Sequence, residues 1–81
     1  MIYCVEDDDA IRELMIYSLK TAGFEARGFA DAEAFLPVIE QELPDLVLLD
    51  VMMPGQDGIS ILQQLRSQSY TRDLPVVMAT A

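Results

Sequence analysis

Short apolar runs alternate with longer segments of helical period along the 81 residues. Ile2-Tyr-Cys-Val5 is apolar throughout and stops at Glu6, which reads as a strand. Ile11, Leu14, Met15, Leu19 and Ala22 then recur at helical spacing and predict a helix on one apolar face, which Ile16 and Tyr17 widen. Asp8 or Asp9 can cap its start, and Gly23 follows its last periodic residue. Phe24 to Phe29 reads as a second strand, poor in β-branched residues and therefore predicted at an edge. Asp31 can cap a second helix with Phe35, Leu36 and Ile39 inward. Pro37 inside that helix removes a backbone donor and predicts a kink or a late start, and Pro44 ends the segment. Leu46-Val-Leu-Leu49 is apolar at every position, the pattern of a central parallel strand covered on both faces. Asp57-Gly58 opens a third helix with Ile59, Ile61, Leu62 and Leu65 inward. Ser67 to Asp73 is a polar loop, and Pro75 to Ala79 a fourth strand.

This order, βαβαβαβ, implies a parallel sheet with right-handed crossovers in one α/β domain. Composition narrows the classes. A chain that is 52% hydrophobic with four glycines and four prolines is not a disordered one. The net charge of −9, from 14 acidic and 5 basic side chains, leaves no basic stripe, so direct nucleic-acid contact is not expected. No apolar run is long enough to span a bilayer and no basic leader precedes one, so a cytoplasmic protein without membrane contact is expected. Cys4 lies inside the first apolar strand, where a small buried core residue is expected rather than a reactive thiol.

The chemistry gathers at strand ends. The first strand closes on Glu6-Asp7-Asp8-Asp9, and the third delivers Asp50 to its carboxyl end ahead of a tight Pro54-Gly55 loop. In an open parallel sheet both ends face the same edge, where sites form. Carboxylates meeting in one crevice repel, so they must protonate or bind a cation. Plainer roles stand beside this. The acidic run also suits a solvated helix start favoured by the helix dipole, and Asp50 a turn or cap. Capping suits Asp8, Asp9 and Asp57 better than site chemistry does, and Met52, Met53 and Met78 suit packing.

The chain resembles the receiver domain of two-component response regulators, of the bacterial transcription-factor type. The matching residues are Val5-Glu6-Asp7-Asp8 with Ile11-Arg12-Glu13-Leu14 behind them. They continue with Pro44-Asp45-Leu-Val-Leu-Leu-Asp50, Met52, Pro54-Gly55 and Asp57-Gly58, and end with Pro75-Val-Val-Met-Ala-Thr80-Ala81. The pieces keep the family's order and spacing over essentially every residue. The resemblance implies a flavodoxin-like, doubly wound parallel sheet with strand order 2-1-3-4. It implies that Asp50 accepts a phosphoryl group from a sensor histidine kinase. It also implies Mg²⁺ held by the carboxylates of Asp7 and Asp50, the backbone carbonyl of Met52, and Glu6 through a water. Thr80 matches the family's switch hydroxyl, Ala81 the small residue beside the site, and the parent would carry a DNA-binding effector domain.

Set against the family, the fold is expected to be incomplete, residues 1–81 being the N-terminal part of a receiver domain. A fifth strand with its lysine and switch aromatic, and the last helices, have no counterpart in these residues. Lys20, the only lysine, falls late in the first helix and cannot substitute. An uncharged fourth strand left as an edge is expected to favour self-association. Two other readings remain: a fragment that keeps metal binding without accepting phosphate, and an acid-dyad phosphatase-like enzyme. The second wants an aspartate two residues after the nucleophile, where this chain has Met52.

Overall fold

A computed structural model describes residues 1–50 and 58–79, and the alternation of elements follows the hydrophobic pattern closely. The elements are β1 (Ile2–Val5), α1 (Asp9–Thr21), β2 (Ala26–Phe29), α2 (Ala32–Gln41), β3 (Leu46–Asp50), α3 (Gly58–Ser67) and β4 (Val76–Ala79). The strands form one parallel sheet in the order β2-β1-β3-β4. β1 pairs with β2 from Ile2↔Ala26 to Val5↔Phe29, and with β3 from Ile2↔Leu46 to Val5↔Leu49. This places β2 at an edge, as its composition predicts. Among the described residues no helix is long and apolar enough to cross a membrane.

One face of the sheet is dry. Tyr3, Val5, Phe29, Val47 and Leu49 alternate onto it and bury against Ala32, Phe35 and Ile39 of α2, Ile61 and Leu65 of α3, and Leu74. Its centre is an aromatic triangle. Tyr3, Phe29 and Phe35 stack edge to face, with ring centroids 5.2, 6.4 and 5.7 Å apart, a geometry that suits their opposed ring quadrupoles. The Tyr3 hydroxyl reaches out of this core and donates to the Glu42 carbonyl at 2.9 Å. Thr71, fully buried, donates from its hydroxyl to the Leu65 carbonyl, and Arg66 gathers the carbonyls of Thr71, Arg72 and Leu74 at 3.3, 2.9 and 2.7 Å. Together they tie the loop after α3 to the start of β4.

The other face departs from the periodicity. None of the residues of α1 is buried, and Ile11, Leu14 and Tyr17 are exposed. Of the predicted stripe only Met15 and Leu19 are half-buried, and Arg12 and Ile16 join them, because Gly28 of β2 leaves a notch there. A Cβ at Gly28 would come within 2.6 Å of the Ile16 side chain and 2.9 Å of the Arg12 side chain. The apolar stripe is therefore rotated away from the predicted one by close approach to a glycine.

Smaller corrections follow from the same packing. Leu46 and Leu48 are only half-buried, so β3 is sealed on one face rather than two. Ile59 points to solvent while Ile61 and Leu65 carry the α3 contact. α2 begins at once after its Asp31 cap and runs through Pro37, so the late start does not occur. Asp8, not Asp9, caps α1, accepting from the Ile11 N–H at 3.0 Å, and Gly23 has the left-handed φ of 97° that ends the helix. Cys4 is fully buried, and burial pushes its thiol up to about 11.

Candidate functional site

The register of β1 against β3 decides where the acidic residues meet. Val5 lies beside Leu49, so the next residues, Glu6 and Asp50, emerge side by side at the carboxyl edge of the sheet. The Glu6 N–H donates to the Phe29 carbonyl at 3.0 Å and continues the pairing with β2 one step beyond β1. Glu6 and Asp50 are 7% and 6% exposed, unusual for carboxylates, while Asp7 is exposed. Carboxylate oxygens of Glu6, Asp7 and Asp50 lie within 4.8 Å of one another.

The electrostatics of this cluster are those of a site short of positive charge. Burial pushes the Glu6 carboxyl above its ordinary value of 4.5. The Asp8 N–H, donating to Glu6 Oε2 at 3.1 Å, pulls it back, and the Asp7 and Asp50 side chains push it up further. Three close oxygen donors of this kind match a small hard divalent cation such as Mg²⁺, which takes oxygen ligands and keeps several waters. Among the described residues no buried side-chain nitrogen or oxygen lacks a hydrogen-bond partner. A groove of about 520 Å³ lined by Glu40, Gln41, Leu43, Gln68 and Tyr70 sits at the opposite edge, by the C-terminal ends of α2 and α3, away from this chemistry.

The fold thus brings together Glu6, Asp7 and Asp50 from separate stretches of sequence. Asp8 serves as helix cap, and Asp9 is exposed and ion-paired with Arg12. Met52, Asp57 and Thr80 lie outside the described residues. Periodicity gave Arg12 no role. Its Nη1 donates to the Glu6 carbonyl at 2.8 Å and its Nη2 to the Asp9 carboxylate. A lone arginine three residues after the acidic run is the signal that could have found it.

Residues 2–81 match the profile described as "Response regulator receiver domain". The chain is 41% identical over 80 residues to the phosphate regulon transcriptional regulatory protein PhoB of Escherichia coli (strain K12), covering 99% of this chain and 35% of that one. It therefore spans about a third of the length of that curated relative. A sensor protein from Polaromonas sp. JS666 superposes with a TM-score of 0.94 at 32% identity, covering 99% of this chain and 64% of that one. Response regulator protein TrrA from Thermotoga maritima, solved in complex with Mg(2+)-BeF, gives 0.90 at 31% identity, covering 99% of this chain and 68% of that one.

Proposed function

The chain belongs to the response regulator receiver domain family, the phosphoacceptor domains of two-component signalling, and we propose that Asp50 is its phosphoacceptor. Receiver domains are signalling switches rather than classical enzymes, and the phosphatase-like reading is not favoured. An oxygen of Asp50 attacks the phosphorus of a sensor kinase's phosphohistidine. The phosphorus–nitrogen bond breaks, its electron pair leaves with the imidazole, and an acyl phosphate remains on Asp50. The observation that carries this reading is the convergence of Glu6, Asp7 and Asp50 within 4.8 Å at one strand edge.

The carboxylates of Asp7 and Asp50, Glu6 through a water and the Met52 carbonyl are the proposed holders of Mg²⁺. Supporting this are the oxygen-only donor set, the burial of two of the three carboxylates, and a relative solved in complex with Mg(2+)-BeF. When bound, Mg²⁺ offsets the negative charge of the phosphoryl oxygens. The dry face beneath β1 and β3 fixes where Asp50 and Glu6 stand, so the nucleophile is placed before the donor arrives. Thr80 donates its hydroxyl to a phosphoryl oxygen and passes the modification to the chain around it. We further propose a cytoplasmic setting, a parent with a DNA-binding effector domain, which its similarity to a transcriptional regulatory protein supports, and pairing of the uncharged β4 with a second copy.

The test is intact-protein mass after incubation with Mg²⁺ and a small-molecule phosphodonor, alongside Asp50→Asn. One added phosphoryl group, absent in the variant, is expected; it would also establish self-catalysed transfer from a small donor. No gain in a folded sample overturns the reading.

A further inference from the structure

Arg12 is a cation bonded to the backbone of the acidic turn. It begins on α1, one turn inside the helix, and its side chain lies back along the notch at Gly28, with Cγ and Cδ each 2.9 Å from where a Cβ would stand. Its side chain is four-fifths buried, and the guanidinium ends between two parts of the chain: Nη1 on the Glu6 carbonyl at 2.8 Å, Nη2 on the Asp9 carboxylate. The same short stretch is held by the Glu6 N–H on Phe29, the Asp8 N–H on Glu6 Oε2, and the Asp8 cap on Ile11. Of these ties, only the Arg12 fork joins the last strand-side carbonyl to the first helical turn.

We propose that Arg12 is a positioning residue for the acid cluster: its fork over Gly28 fixes the turn on which Glu6 and Asp7 stand, so that both present oxygens toward Asp50. This rests on the reading of Glu6, Asp7 and Asp50 as a Mg²⁺ site. The proposal has an unusual sign. A guanidinium beside a cation site repels the cation, so a purely electrostatic Arg12 weakens Mg²⁺ binding and its removal tightens it. A positioning Arg12 does the reverse, because the ligands lose their preset geometry. Partners that orient metal ligands from behind are typically worth about 10- to 100-fold in affinity.

The experiment is a Mg²⁺ titration followed by NMR on the Glu6, Asp7 and Asp8 amides, in the wild-type chain, Arg12→Ala, Arg12→Lys and Arg66→Ala. Arg66 serves as control, since it clamps three carbonyls of the distant α3–β4 loop. Arg12→Ala is expected to weaken Mg²⁺ binding by about 10-fold or more and to speed hydrogen exchange at the Asp8 amide without metal. Arg12→Lys keeps the charge but not the fork, and is expected to weaken binding less. Arg66→Ala is expected to lower the melting temperature and leave the affinity unchanged. Unchanged or tighter binding in Arg12→Ala overturns the positioning role, and so does an equal loss in Arg66→Ala. If Arg12→Ala does not fold, Arg12→Lys decides by the same criterion. A wild-type chain that takes no Mg²⁺ overturns the metal reading itself, and this inference with it.

Discussion

On the α2/α3 side of the sheet, Tyr3, Val5, Phe35, Ile39, Val47, Leu49, Ile61 and Leu65 are all at or below 2% exposure. On the α1 side, Leu14 and Tyr17 stand at 64% and 69% exposure, and Val77 at 48%. The two faces share the same strands but divide the work. The dry face holds β1 and β3 in register, and that register sets Glu6 beside Asp50. The α1 face buries Ile2 and Cys4 of β1 but no residue of the helix itself, and its tight approach at Gly28 sits under the arginine that ties the acidic turn. The larger side chains are therefore buried mostly on one side, and the arginine tie to the acidic turn lies on the other.

The sharpest way to break this contrast is Phe35→Ala. It removes one corner of the aromatic triangle and is expected to lower unfolding free energy by about 3–5 kcal/mol in urea titration. A loss matching that of a surface truncation would show that the dry face is not the stabilising one. Gly28→Ala tests the tight point on the other face, where the new methyl meets Ile16 at 2.6 Å and Arg12 at 2.9 Å. Overpacking of this kind is expected to cost about 1–3 kcal/mol. Thermal melts that show no loss would mean that α1 simply shifts aside.

Tyr3→Phe keeps the ring contacts but deletes the hydroxyl that donates to Glu42, and is expected to cost about 1 kcal/mol. This separates the polar tip of the core from its packing. The acidic edge has its own pH signature. The folded Glu6 carboxyl is raised above 4.5, so the folded state holds its proton more tightly than the unfolded one. Its contribution to stability is fully present below 4.5 and is lost as pH rises through the raised value. Without metal, Glu6→Gln should therefore be more stable than wild type at neutral pH, with the gap closing on acidification. A gap independent of pH in chemical denaturation would sink this. Last and smallest, Leu14→Ala and Tyr17→Ala should each change stability by no more than about 0.5 kcal/mol. A larger loss by denaturation would mean that the α1 face is covered in solution.

Much of this was readable from the residues. Strand runs, caps at Asp8 and Asp31, the terminating Gly23 and the acidic ends of two strands all follow from local rules: period, capping chemistry and glycine's freedom at positive φ. Because a parallel sheet aligns its carboxyl ends, the meeting of Glu6, Asp7 and Asp50 was also implicit in the order of elements. What the sequence could not set was how α1 is turned on the sheet, since a stripe centred on Ile11 and Leu14 satisfies the period as well as one centred on Arg12 and Ile16, and Met15 and Leu19 border both. That choice was made by the space at Gly28, on a different element and sixteen residues from Arg12 along the chain. The role of Arg12 came with it: Asp9 is its neighbour three residues back on the same helix, but the Glu6 carbonyl is placed against the same side chain by how the helix docks on the strands.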